Sequence, residues 1–387
     1  LAESTLIYNA HVITPIGTWE RGWLLTDAPR IVLMGQGEPP ELSAVSSIDA
    51  QGLTLLPGFI DVHVHGAMGH EAMDASPNGL RAMAKFYAQH GVTSFLATTW
   101  TDSRQRITAA LENIAELQGP QPDGATILGA HLEGPYLNVS KCGAQNASYI
   151  RTASQEEALS FLEFGIIRLL SVAPEYEENH WLIKACVRRG VTVSVAHTAA
   201  TYEDMQAGVE MGLSHATHTY NAMVGLGHRE PGTVGAVLTM PQIRCELIAD
   251  NIHVHPAAMK ILFAAKGVDG VVLITDAIRA AGMPEGEYRV DERTVTVRDG
   301  AVRLPDGSLA GSILTMNRAL CNFMRAIEQP IEVIWPTTGL NAARAAHVAD
   351  RKGSLEVGKD ADFVLVDKDV NVYLTVAEGR VVYRNLP

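Results

Sequence analysis

The stretch FIDVHVHG, residues 59–66, decides how the rest of the chain is read. Phe59, Ile60, Val62 and Val64 give it the character of a buried strand. Side chains alternate along a strand, so Val62 and Val64 point to one face while His63 and His65 share the other. Two neutral imidazoles side by side fill a core poorly, yet they make a good half of a metal site. At this point a second reading stays open, in which one histidine bonds a backbone carbonyl and the other caps a loop.

Outward from this stretch the chain alternates between short apolar runs and helix-like segments. The runs are FIDVHV (59–64), VTSFLATT (92–99), TILGAHLE (126–133), IIRLLSVA (166–173), VTVSVAH (191–197), LSHATH (213–218), RCELIAD (244–250) and GVVLITD (270–276). Between them, DSRQRITAALENIAEL opens on Asp102, a residue type that caps helices, and spaces Ile107, Leu111, Ile114 and Leu117 at helical intervals. SPNGLRAMAKFYAQHG and SQEEALSFLEFG each begin on serine and end on glycine, the usual punctuation of a helix. Eight buried-type strands, each followed by a helix or long loop, predict an α/β fold, a (β/α)₈ TIM-like barrel. An open doubly wound sheet is the alternative, but no glycine-rich dinucleotide turn follows the first strand.

Two regions break the alternation. Residues 1–56 (STLIYNAHVITP, RIVLMGQGEPP) and 350–387 (DADFVLVDKDVNVYLTVAEGRVVYRN) read as short strands and turns. Neither has enough apolar surface for a core of its own, so together they are expected to form one small β-sandwich domain, leaving 57–349 as the catalytic barrel. A third segment, GEYRVDERTVTVRDGAVRLPDGSLAGS, carries the Asp-Gly turns of hairpins after the eighth strand.

Composition narrows the function. The 387 residues are 47% hydrophobic and 19% charged, the balance of a globular protein with a sizeable core. A net charge of −13 argues against a nucleic-acid partner, and any anionic substrate must find its positive contacts locally. No apolar run approaches membrane-spanning length, and no signal-peptide layout is recognised, so no membrane association is expected. The four scattered cysteines, Cys142, Cys186, Cys245 and Cys321, form neither a zinc-ribbon spacing nor a dense disulfide framework, and the expected location is a reducing cytoplasm. Cys142, in a polar loop, reads as a bystander thiol rather than a nucleophile.

In a (β/α)₈ barrel the chemistry sits at the carboxyl ends of the strands. His63 and His65 end the first predicted strand, Glu133 the third, His197 the fifth, His218 the sixth and Asp276 the eighth. Such an assembly without a cation leaves several imidazoles and carboxylates imperfectly paired and partly desolvated, which favours the metal reading of His63 and His65 over the structural one.

PGFIDVHVHG, GAHLEGPYLN, VAHT, SHATHTYNAM, HREPG, IADNIHVHP, LITDA, LAGS and GSLEVGKDADFVLVD together resemble the amidohydrolase superfamily, and within it the deacetylases of 2-acetamido-sugar 6-phosphates. The resemblance covers essentially the whole chain. HxH alone indicates only the superfamily, whereas HLEGPYLN with THTYNAM and REPG is far more specific. By this resemblance Glu133, His197 and His218 would hold the main metal ion. His63 and His65 would hold a second, found in only some members, with Glu133 bridging, and Asp276 would be the catalytic acid and base. Asn221 and the Ala222 backbone would grip the sugar phosphate, and Arg229 and His253 would add further substrate contacts. The resemblance further implies a homodimer in which Arg229 reaches the neighbouring site. Some members carry a histidine that bonds the substrate carbonyl, whereas KCGAQN here offers Gln145, which can donate a hydrogen bond but cannot carry charge. His215 reads as structural.

The implied activity is hydrolysis of N-acetyl-D-glucosamine 6-phosphate to acetate and glucosamine 6-phosphate, in amino-sugar catabolism. The implied cofactor is one or two divalent ions, for which His/carboxylate ligands leave zinc, iron, manganese and cobalt open. The alternatives are the N-acetylgalactosamine epimer, another amidohydrolase substrate, or a barrel that serves only as a scaffold. Retention of every ligand argues against the last.

Overall fold

The computed structural model describes residues 4–42, 45–290 and 293–386. Eight parallel strands form one sheet: β1 (Phe59–Val64), β2 (Val92–Thr98), β3 (Gly124–Glu133), β4 (Ile167–Val172), β5 (Thr192–Val195), β6 (His215–Ala216), β7 (Arg244–Ile248) and β8 (Val271–Ile274). They lie in sequence order, each hydrogen-bonded to the next. A helix follows each: α1 (Pro77–Gln89), α2 (Arg104–Leu117), α3 (Gln155–Leu162), α4 (Glu177–Arg188), α5 (Tyr202–Glu210), α6 (Gly232–Thr239), α7 (Pro256–Lys266) and α8 (Met316–Ile327). This is the expected (β/α)₈ barrel. Its strands are buried almost throughout because helices cover the outer face and the inner face packs on itself.

Local sequence explains the helix starts. The hydroxyls of Ser76 and Ser154 accept from the backbone N–H of Gly79 and Glu157, and Thr201 makes a reciprocal capping box with Asp204. The expected start of α2 moves by one residue. Ser103, not Asp102, caps it by accepting from Arg106 N–H, while Asp102 accepts from Ser103 N–H at 2.6 Å and pairs with the Arg106 guanidinium at 2.7 Å.

Between β8 and β1 the barrel is closed by side-chain and backbone hydrogen bonds together. The buried Asp61 carboxylate accepts from the Thr275 hydroxyl at 2.5 Å and from Thr275 N–H at 3.4 Å, and Asp276 N–H donates to the His63 carbonyl at 2.9 Å.

Both ends of the chain contribute to a second sheet. Thr54–Pro57 pairs with Phe363–Val366 on one side and with Thr5–Thr14 on the other, extending outward to Val372–Ala377 and Arg380–Arg384 and to Gly17–Asp27 and Arg30–Gln36. Ile7, Val12, Leu24, Leu55, Phe363, Leu365 and Leu374 form a core distinct from that of the barrel. Residues 1–3, 43–44 and 387 of these two terminal segments lie outside the described residues.

The expected hairpins after β8 form an antiparallel sheet of Gly286–Val290, Arg293–Arg298 and Ala301–Arg303. Asp299 and Gly300 turn the second hairpin with φ of 52° and 74°, the left-handed backbone that an Asp-Gly turn supplies at low cost. The first turn, 291–292, lies outside the described residues. No helix among the described residues is long and apolar enough to cross a membrane.

Candidate metal centre and active site

The candidate ligands stand at the carboxyl end of the barrel, several of them just past the last hydrogen-bonded residue of a strand. His197, His218 and Asp276 have φ of 42°, 31° and 49°. Left-handed backbone is uncommon outside glycine, and these three residues use it to leave the ladder and turn their side chains over the barrel mouth. The sixth run was expected to extend to His218, but the strand ends at Ala216; Thr217 N–H still bonds the Val195 carbonyl at 3.0 Å before the chain turns at His218. Gly311 of LAGS secures the eighth corner: a β-carbon there would lie 2.9 Å from the Asp276 carbonyl, so only glycine lets the two segments close.

Glu133 stands at the centre, with its two oxygens facing different partners. Oε2 lies 3.2 Å from His65 Nε2 and 3.6 Å from His63 Nε2. Oε1 lies 3.2 Å from His218 Nε2 and 3.3 Å from His197 Nε2. The two pairs are themselves close, with Nε2 atoms 3.3 Å apart for His63 and His65 and 3.0 Å apart for His197 and His218. Asp276 Oδ1 caps the first pair, 3.4 Å from His63 and 3.3 Å from His65. All six residues are buried.

This arrangement suits divalent cations. His63, His65 and Glu133 form one group of converging donor atoms, and Glu133, His197 and His218 form another. Imidazole nitrogens and carboxylate oxygens are the donors such ions take. The electrostatics agree. Burial would push His63 and His65 down, but Glu133 and Asp276 outweigh it, lifting His63 well above the usual histidine range and His65 to about 9. Burial likewise opposes ionisation of Glu133, yet the surrounding imidazoles, His63 foremost, hold it well below the usual carboxylate range. Asp276 is lowered for the same reason, His63 and His65 overcoming its burial. A pocket that draws protons onto its imidazoles in this way favours positive charge.

A second layer orients these groups. Glu246, on β7, receives His63 Nδ1 at 2.9 Å, His215 Nε2 at 3.2 Å and His218 N–H at 3.2 Å. The Lys141 carbonyl accepts from His197 Nδ1 at 2.8 Å. Trp100 stacks on His65, ring centroids 3.9 Å apart. His131, also on the inner face, packs edge-on against His63 and bonds Ser171 Oγ at 2.8 Å; burial, then the charge of His63, pushes it down to about 3. Neither Glu246 nor His131 stood out in the sequence. The available signal for Glu246 was a carboxylate inside the apolar run RCELIAD, since a buried charge requires partners.

A cavity of about 330 Å³ opens over the cluster, lined in part by His65, Glu133, His197, His218 and Asp276. Gln145, Asn221, Ala222 and His253 also line it. His253 is held by Asp250, whose Oδ2 lies 2.6 Å from its Nδ1. Asn221 donates to the His218 carbonyl at 3.1 Å, and Ala222 has a φ of 53°. Gln145 is tied on both sides: its carbonyl accepts from Thr101 N–H and its amide donates to Glu133 Oε2, each at 2.8 Å. Its donor is thereby turned onto the central carboxylate. Ser308, Leu309 and Gly311, at the end of the hairpin segment, complete the wall. Arg229 is not in this wall; it is exposed and faces a separate depression with Tyr202 and Glu230. Among the described residues, no lysine or arginine lines the cavity over the cluster.

Known proteins match along almost the full length. The curated N-acetylglucosamine-6-phosphate deacetylase of Bacillus subtilis (strain 168) is 37% identical over 388 residues, covering 99% of this chain and 98% of that protein. The curated N-acetylgalactosamine-6-phosphate deacetylase of Escherichia coli O157:H7 is 37% identical over 366 residues, covering 93% and 96%. The crystal structure of N-acetylglucosamine-6-phosphate deacetylase from Thermotoga maritima superposes with a TM-score of 0.89 at 33% identity, covering 98% of this chain and 99% of that one. The family model described as the amidohydrolase family matches residues 54–382, from the first barrel-side strand of the terminal sheet to its last strand. The chain belongs to the amidohydrolase family.

Proposed function

We propose that the protein is a metal-dependent deacetylase that hydrolyses N-acetyl-D-glucosamine 6-phosphate to acetate and glucosamine 6-phosphate, a step of amino-sugar catabolism. The observation that carries this reading is the placement of Asp276, 3.3 Å from His65 and open to the cavity beside two converging ligand groups. The full-length similarity to curated deacetylases supports the substrate class.

In this reading Glu133, His197 and His218 would hold one ion, and His63 and His65, together with Glu133, would hold a second. Such ions, when bound, would supply the positive charge that lowers the pKa of a water and polarises the amide carbonyl. Asp276 takes a proton from the attacking water as the water oxygen bonds to the acetyl carbon. It returns the proton to the amide nitrogen as the C–N bond breaks, so the sugar leaves as a neutral amine rather than an amide anion. Gln145 keeps Glu133 oriented. Asn221, the Ala222 backbone and His253 position the sugar.

The phosphate needs a cation, and among the described residues the cavity wall has no lysine or arginine. We assign that role to Arg229 of a neighbouring subunit in a homodimer, since a guanidinium fork binds two phosphate oxygens and the exposed Arg229 is available to reach outward. The two-domain division, with 1–56 and 350–387 as one unit and 57–349 as the other, belongs to the same reading. So does a cytoplasmic location, which suits four free thiols.

The test is acetate release from N-acetylglucosamine 6-phosphate, its galactosamine epimer and unphosphorylated N-acetylglucosamine, before and after chelation. The proposal expects the first substrate to be preferred and chelation to abolish turnover. Preference for the epimer would overturn the substrate assignment, and full turnover after complete chelation would overturn the metal requirement.

A further inference from the structure

Glu246 has no place in the reaction as described, yet its carboxylate receives three hydrogen bonds beneath the site. It is fully buried, and it is not among the residues that line the cavity. Through Oε2 it receives both the His63 ring at Nδ1 and the backbone N–H of His218; through Oε1 it receives His215. Its carbonyl accepts from Thr219 N–H at 2.9 Å. One side chain on β7 therefore touches a candidate ligand on β1 and the left-handed corner that carries another after β6. A carboxylate in a closed core carries a desolvation cost, and the three donors that converge on Glu246 offset it.

We infer that Glu246 is a positioning residue that sets up both ligand groups. An imidazole binds a cation through an unprotonated nitrogen, and the hydrogen bond at its other nitrogen decides which one that is. By receiving Nδ1–H, Glu246 leaves the lone pair of His63 on Nε2, the atom that faces Glu133 and Asp276. By receiving His218 N–H, it holds the corner that aims the His218 ring at the other oxygen of Glu133. His215 occupies the remaining oxygen, and His131 packs edge-on against the His63 ring, so that ring is held at its edge as well as at Nδ1. The inference rests on the metal-hydrolase reading above.

The experiment is zinc titration of the chelator-stripped full chain, with metal analysis, for the unmutated protein, Glu246→Gln and Glu246→Asp. Glutamine is nearly isosteric but replaces one acceptor oxygen with a donor. Aspartate keeps the charge and withdraws both oxygens by one carbon. Affinity for the ion held by His63 and His65 is expected to fall about 10- to 100-fold in both variants, the usual cost of losing a ligand's orienting partner. In a His63→Asn background, Glu246→Gln should cost nothing further at that ion, because its effect there runs through His63. Unchanged affinity in Glu246→Gln, or full recovery in Glu246→Asp, would overturn the inference. So would loss of a whole third ion, which would make Glu246 a ligand together with His63 and His131. If the glutamine variant does not fold, the aspartate variant alone and in the His63→Asn background gives the same decision. No sugar enters the titration: an unmutated chain that takes up no zinc defeats the metal reading, whereas zinc uptake indifferent to position 246 defeats only this inference.

Discussion

The Asp276 carboxylate stands 3.3 Å from Nε2 of His65, close enough to share a water or a cation yet exposed to the cavity where an amide would lie. Asp276→Asn removes the base and leaves nearly the same shape. Turnover is expected to fall by about three decades or more, with folding and metal content retained. Acetate release close to that of the parent would remove Asp276 from the mechanism.

The split of Glu133 between two histidine pairs leads to a count. Metal analysis of protein prepared with metal in excess should give two ions per chain, and the double change His63→Asn with His65→Asn should reduce this to about one. His197 and His218 keep their ion, while activity falls because one carbonyl-polarising charge is gone. A single ion in the unmutated protein would make His63 and His65 supports of the Glu133, His197 and His218 group.

Arg229 lies outside the cavity of its own chain, so its proposed contact crosses a subunit boundary. Arg229→Ala should raise KM strongly for the phosphorylated sugar and barely change hydrolysis of the unphosphorylated one. Mixing Arg229→Ala with Asp276→Asn subunits should restore part of the activity, since one hybrid site then has both an intact base and an arginine. Equal effects on both substrates, or no recovery on mixing, would contradict the assignment.

Asp61 gives a pH signature. Burial raises its carboxyl to about 7, outweighing the Thr275 hydroxyl and the backbone N–H groups that favour its charge. The folded-state value lies above the unfolded one of about 3.9, so the folded protein holds the extra proton between those values. The associated stability is fully present below about pH 4 and is lost as pH rises through about 7. Asp61→Asn, neutral throughout, should therefore gain stability relative to the parent between those limits, as read by denaturant unfolding of chelator-treated protein. A stability difference that stays constant with pH would show that Asp61 is already ionised in the fold.

Much of this protein is determined by local pattern. The parity of FIDVHVHG, the recurrence of apolar runs and the serine and threonine starts of helices depend only on neighbours in sequence, and they suffice for the barrel and for the strand ends that carry His63, His65, Glu133, His197, His218 and Asp276. Pairing across the barrel is another matter. That Asp61 links β8 to β1 and that Glu246 serves a ring on one strand and a backbone on another join residues 28 to 214 positions apart, and even the Gln145 amide reaches Glu133 only through the fold of the loop between them. Periodicity states which face a side chain occupies, not which distant group it meets there. Hydrogen bonds between buried polar groups depend on ångström-scale closure of the whole barrel, so tertiary structure alone decides them.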